Sequence, residues 1–334
     1  MPGRLLCCIA LAVLVACVPP PVDDDSVTDF DPEETRAGKI QERGVLRVGV
    51  PDEPRPPFSF PVDPGTERPA TASLLYEGFV IDLTQEIADA LGVEVEYVPA
   101  SSDDLLRDAD RQQPGTQLQT AEGQALDMGF ALEPVTEALV RRFPMTHPYF
   151  VSHQRLLVRT GAGVADVENL AGKRACVSAS PATGVEVPKL NPEAQVIDAI
   201  DGGECALLLQ NGSVDVVTDN DVELMTIWAI VTGCTQPCPP SEELRLVGNE
   251  IATMAFAAVV QSGLGWTTFV NATWAETDAE GRWLEYQRKW IEPYGIEVDE
   301  APVMTIEEAA ALYPCDDGPP ALKCPERKKN KEED

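Results

Sequence analysis

Apolar and polar positions follow two rhythms along this chain, and the changes of rhythm mark its elements. Residues 45–50, Val-Leu-Arg-Val-Gly-Val, form a short β-branched run closed by Pro51, the pattern of a strand. Gly78-Phe-Val-Ile then leads into Asp82, an N-cap candidate. Leu83, Ile87, Ala90 and Leu91 share one helical face, and Gly92 supplies the stop. Val93, Val95 and Tyr97 alternate with Glu94 and Glu96, which predicts a second strand. Strand, helix and strand with short connections make the βαβ unit of an open α/β sheet.

The rhythm restarts after Phe150. Residues 155–159 read as a connecting strand and 174–177 as a core strand. Residues 205–212 read as a helix ended by glycine, and 214–218 as a further strand. A strand over 254–260 and a helix near 267–290 follow, and Pro-rich, then charged, residues 296–334 read as an appended tail.

The chain opens with Arg4 and an apolar run over 5–16, too short to span a bilayer and suited to a secretory signal. The run ends in Leu14-Val-Ala-Cys17, which resembles the bacterial lipobox, so Cys17 is expected to carry lipid. The plain alternative is a signal peptide with an incidental cysteine. Residues 17–43, acidic and Pro-rich, are expected to be an extended tether. Later in the chain, 251–260 is the nearest approach to a membrane span, and it reads as a buried strand.

The formal charge of −31 argues against nucleic acid and anionic lipid as partners. Even without its first 16 residues, the chain exceeds what one hydrophobic core usually organises, so two lobes are expected. Beyond Cys7, Cys8 and Cys17, six cysteines remain, an even number in an exported chain. Local spacing pairs Cys234 with Cys238 and Cys315 with Cys324, leaving Cys176 with Cys205. The zinc alternative has only His147 and His153 to draw on, at spacings that fit no zinc motif.

Several stretches resemble the family 3 extracellular solute-binding proteins of polar amino acid uptake. Gly44-Val-Leu-Arg-Val-Gly-Val-Pro51 with Pro57-Phe-Ser-Phe60 resembles the opening strand and ligand-facing loop. Tyr76-Glu-Gly-Phe-Val-Ile-Asp-Leu83 resembles the start of the first helix, and Asp127-Met-Gly-Phe-Ala131 with Pro148-Tyr-Phe150 the first hinge. Asn169-Leu-Ala-Gly-Lys-Arg-Ala-Cys-Val177 and Gly212-Ser-Val-Asp-Val-Val-Thr-Asp219 resemble core strands of the second lobe.

The resemblance covers residues 44–295. It implies an α/β, two-lobed periplasmic-binding-protein type II fold, each lobe an open sheet flanked by helices, joined by a two-strand hinge. Lobe 1 would span 44–149 and 253–295, and lobe 2 would span 150–252, with the ligand in the cleft between them. A Cys176–Cys205 bridge also resembles one in glutamate-binding members. The implied partners are a small polar solute and an ABC permease, with a monomeric protein at the periplasm or cell surface and neither cofactor nor metal.

The family's carboxylate-binding arginine follows a Thr-x-x-Arg pattern. Here Thr136 is present but Leu139 holds the arginine position, and Arg142, one helical turn on, is either a substitute or a solvated helix-end charge. The turn before it is Leu132-Glu-Pro134, so Glu133 is either a cleft acid or a surface acid. Ser178-Ala-Ser-Pro-Ala-Thr183 matches the family's hydroxyl loop, which makes Ser178, Ser180 and Thr183 candidate contacts or simple helix caps. The amino-group acid falls among Asp219, Asn220 and Asp221. Arg55 stands where members often place a stacking aromatic, and Phe58 remains. With Asp52, acids outnumber arginines around the cleft, which favours a cationic or amine-bearing ligand over an acidic one.

Three rivals share the scaffold. A cyclohexadienyl dehydratase-like enzyme would need an acid for loss of water and carbon dioxide, and Glu133 is the candidate. A lytic transglycosylase would need a second domain that 296–334 is too small to supply. An orphan binding module would serve a sensor or redox partner in place of a transporter.

Overall fold

The computed structural model describes residues 30–62, 76–107, 117–178, 191–234, 243–297 and 299–313. In the first lobe, Val45–Pro51 runs parallel to Glu94–Ala100, from Val45 opposite Glu94 to Pro51 opposite Ala100. On its other edge it meets Met128–Gly129, and Val259–Val260 closes that side antiparallel. The crossover is the helix Phe79–Leu91, whose Phe79, Leu83 and Ile87 are wholly buried against the sheet.

That helix corrects the N-cap expectation. Gly78 precedes it and Asp82 sits in its first turn. The first N–H groups are satisfied by a loop instead of a side chain: Phe79 N donates to the Pro57 carbonyl at 2.9 Å and Val80 N to that of Phe58 at 3.1 Å. Gly78 has φ 138°, and a Cβ there would overlap the Phe58 carbonyl, so only glycine lets the loop dock. Asp82 is free to accept from Trp290 Nε1 at 2.7 Å and Lys289 Nζ at 2.8 Å.

The second sheet runs Leu244–Val247, Phe150–Arg159, Val216–Asn220, Arg174–Ser178, Gln195–Ala199. Phe150–Arg159 joins the lobes: Phe150–His153 pair with Thr253–Phe256, and Gln154–Val158 pair with Val216–Asn220. The antiparallel pair Phe150–His153 and Thr253–Phe256 is the two-strand hinge. The strand expected over 254–260 is thus two short ones, the second already in the first lobe's sheet. The helix expected near 267–290 is also two, Trp266–Ala279 and Arg282–Trp290, broken at Gly281 with φ 79°.

Two described stretches, one in the expected tether and one in the expected tail, are more ordered than their composition predicts. Arg36–Arg43, expected within the tether, is a helix with Thr35 accepting from Gly38 N and with Ala37 and Ile40 buried. Its Arg36 Nε donates to Asp127 Oδ1 at 3.0 Å, and Arg43 pairs with the other carboxylate oxygen of the wholly buried Asp127. In the expected tail, Ile306–Leu312 is a helix with a Thr305/Glu308 capping box. Ala309 and Ala310 are buried with Leu139 and Phe143, and Glu137 N donates to the Tyr313 carbonyl at 3.1 Å. Up to residue 313, then, the segment belongs to the first lobe.

Cys176 and Cys205, both wholly buried, form a disulfide that ties Arg174–Ser178 to the helix Gly202–Gln210. Cys234 is also disulfide-bonded. Its expected partner Cys238 and the pair Cys315 and Cys324 lie outside the described residues, as does Cys17. Among the described residues no helix is long and apolar enough to cross a membrane.

Candidate functional site

A cavity of about 450 Å³ opens between the lobes at the carboxyl ends of the parallel strands, where open α/β sheets place their ligands. The first lobe contributes the turn after Val45–Pro51, with Asp52, Glu53 and Arg55. It also contributes Ser101, Ser102 and Asp103 after Glu94–Ala100, and Ala131 to Pro134 after Met128–Gly129. The second lobe contributes Ser178, Asp219, Asn220 and Glu223.

Each second-lobe group is held by its neighbours. Asp219 lies one residue before the end of the fully buried strand Val216–Asn220; it accepts the Ser178 hydroxyl, and Asn220 N donates to its Oδ1 at 2.8 Å. Asn220 is the N-cap of the helix Asp221–Thr232, its Oδ1 accepting from Glu223 N at 3.1 Å. Glu223 reaches across the cleft, where Arg55 Nη1 donates to its Oε2 at 2.8 Å. Asp221 turns away from the cavity. It is buried beside the hinge, where it accepts from His153 N at 2.7 Å and lies 3.2 Å from Arg155 Nε.

Leu132 has φ 51°, a left-handed conformation held by a side chain that disfavours it. This turn presents Glu133 to the cavity with an exposed face. Enclosure by the lobes pushes the Glu133 carboxyl up to about 6; Arg55 opposes the shift, and Glu223 and Asp103 add to it. Burial likewise raises Glu223 against the pull of Arg55. Asp221 is pushed up to about 6 by burial, with Arg155 opposing.

Comparison with known proteins settles the scaffold. Residues 46–293 match the family model described as bacterial extracellular solute-binding proteins, family 3. The chain belongs to this family. It is similar to the ABC transporter glutamine-binding protein GlnH of Bacillus subtilis (strain 168), 24% identical over 232 residues, 68% of this chain and 76% of GlnH. Over 76 residues, 23% of this chain and 25% of the relative, it is 36% identical to a cyclohexadienyl dehydratase of Pseudomonas aeruginosa. Among solved structures, an ancestral cationic amino acid solute binding protein matches with a TM-score of 0.57 at 20% identity, covering 76% of this chain and 98% of that one. That likeness shows the type II two-lobed fold.

Of the residues expected at a family 3 site, Asp52, Arg55, Glu133, Ser178, Asp219 and Asn220 line the cavity. Four do not. Phe58 is wholly buried in the core, edge-on to Phe79 and Phe150, because the loop that carries it docks on the first helix. Thr136 caps the helix Glu137–Arg142, accepting from Leu139 N at 3.2 Å. Arg142 is exposed, its guanidinium 5.2 Å from the Phe143 ring. Asp221 serves the hinge. Ser180 and Thr183 lie outside the described residues.

Glu223, Glu53, Ser101, Ser102 and Asp103 escaped the sequence reading. The last three follow directly on a parallel strand, a position that marks ligand loops without any motif. Glu223 was signalled by its place one helical turn after Asn220.

Proposed function

We propose that this family 3 protein captures a small, amino-acid-like solute bearing a cationic group and delivers it to an ABC permease. One observation carries the reading. Among the described lining residues, Asp52, Glu53, Asp103, Glu133, Asp219 and Glu223 are acids, and Arg55 is the one cation, itself engaged by Glu223. A solute of net negative charge entering this cleft meets a negative field, whereas an ammonium or guanidinium meets acidic partners on both walls. Ser178, whose proton goes to Asp219, and Ser102, whose proton goes to the Ala131 carbonyl, line the same cavity and keep oxygen lone pairs that can accept from the solute's donors. The similar GlnH is named for glutamine, which also carries an amino group, and this supports an amino-acid-like solute.

A thermal-shift screen of the exported body against basic, neutral and acidic amino acids and simple polyamines tests the reading, since binding to the folded state raises its melting temperature. Stabilisation by basic compounds is expected; stabilisation by acidic ones alone contradicts it.

The reading includes an extracytoplasmic, monomeric protein lipid-anchored through Cys17, on the strength of the Leu14-Val-Ala-Cys17 run. Cys17→Ser is expected to release the protein from the membrane fraction or leave it unprocessed, and unchanged membrane partition refutes the anchor.

The dehydratase reading draws on Glu133, whose raised carboxyl is protonated more readily than an ordinary glutamate. The likeness to the dehydratase covers only 23% of this chain and 25% of that one, however, against 68% and 76% for GlnH. We therefore hold this chain to be a binding protein. Turnover of a cyclohexadienyl acid, lost in Glu133→Gln, would establish the enzyme.

A further inference from the structure

Residues 55 and 56 of the first lobe meet positions 223 and 226 of the second, neighbours on one face of the helix Asp221–Thr232. Arg55 Nη1 donates to Glu223 Oε2 at 2.8 Å, and the Thr226 hydroxyl shares its one proton between the Pro56 carbonyl at 3.1 Å and the Val222 carbonyl of its own helix at 3.2 Å. The arginine side chain is 36% exposed and the glutamate 19%, so the pair stands at the cavity wall, partly withdrawn from water. Glu133 lies close enough to feel both charges. The guanidinium therefore sits among the carboxylates that a cationic solute would seek.

We propose that Arg55 is a built-in competitor for the cation subsite of the cleft, a specificity residue that occupies Glu223 until a solute displaces it. The inference rests on the reading of the cleft as cation-binding. Two consequences follow. The Arg55–Glu223 bond, with the Pro56–Thr226 contact beside it, ties the lobes together across the cleft. A solute must also release Arg55 before it can use Glu223, so weak or badly placed cations are rejected. A guanidinium, able to form two parallel bonds where Arg55 makes one through Nη1, competes better than a single ammonium.

Calorimetry with L-arginine and L-lysine on the wild type, Arg55→Met and Glu223→Gln tests this, with Arg55→Gln as a second variant should the methionine one misfold. The account expects Arg55→Met to bind about tenfold tighter than the wild type, and Glu223→Gln about tenfold weaker. It also expects a larger solute-free radius of gyration by small-angle scattering for Arg55→Met. Equal or weaker binding by both Arg55 variants, with the wild type still binding, overturns the competitor role and leaves the functional reading standing. No response to either probe by the wild type or any variant, alongside binding of an acidic amino acid, fails the functional reading and this inference together.

Discussion

Gly202 lies directly against the Glu223 side chain: a Cβ at position 202 would overlap Glu223 Oε1. The helix start at Asp201–Gly202 thus leaves the room in which the Glu223 carboxylate turns towards the cleft. Gly202→Ala is expected to fold normally, because the displaced atom is the end of a flexible side chain. Urea melts should move by less than about 1 kcal/mol, while calorimetry with a basic amino acid shows a loss of affinity of several-fold. Unchanged affinity would show that Glu223 takes no part in binding.

The acids of the cleft and hinge set two pH dependences of opposite sign. Folded Glu133 and Asp221 protonate near 6, above the ordinary carboxylate range, so between pH 7 and 5 these two groups bind more protons in the folded chain than in the unfolded one. Stability contributed by these two carboxyls therefore rises as pH falls through 6, while His153 beside Asp221, lowered by burial, opposes it in the same window. The test is therefore by difference: the melting temperature at pH 5.5 relative to that at 7.5 should fall in Glu133→Gln. Binding runs the other way. Protonation of Glu133 removes a charge that a cationic solute uses, so affinity should weaken as pH falls through about 6. Glu133→Gln should flatten that second dependence, and an unaltered pH profile in this variant would refute the role of Glu133.

The Cys176–Cys205 bridge closes a segment of 29 residues within the second lobe. In the chain-entropy account its removal costs about 3.5 kcal/mol. Denaturant melts of the double variant Cys176→Ser, Cys205→Ser should show that loss, with the first lobe's unfolding unaltered.

Asp127 depends on the helix before the first strand. It is wholly buried and accepts from Arg36, Arg43 and, at 2.8 Å, Arg47 N. A chain starting at residue 44 strands this carboxylate without either guanidinium. It should be less stable than one starting at residue 30 by about 2–3 kcal/mol, given arginines that are themselves partly exposed. Equal urea midpoints would contradict the clamp.

Much of this fold is legible in the chain because its signals are local. Val45 to Pro51 and Leu83 to Leu91 announce strand and helix by period alone, and the family's motifs follow in order. What stayed hidden depends on contacts distant in sequence. Asp31 to Glu34 look like tether, yet the next turn folds because Arg36 and Arg43 find Asp127 more than 80 positions away. Thr136 fits the family's ligand pattern, but its hydroxyl caps the helix with Leu139 buried beside it, and it is not among the residues that line the cavity. Phe58 carries the composition of a stacking wall and is taken into the core by the helix that docks on its carbonyl. Glu223 is marked in the sequence only by its place one helical turn after Asn220; its pairing depends on Arg55 coming to it from the other lobe.

The central claim, a cleft built for a cationic solute, is tested most directly by calorimetry of the wild-type protein against lysine, arginine, a simple polyamine, glutamine, glutamate and aspartate. The account predicts micromolar or tighter binding of at least one basic compound, and none by the two acidic ones. Micromolar binding of glutamate or aspartate with no response to any basic compound would contradict it.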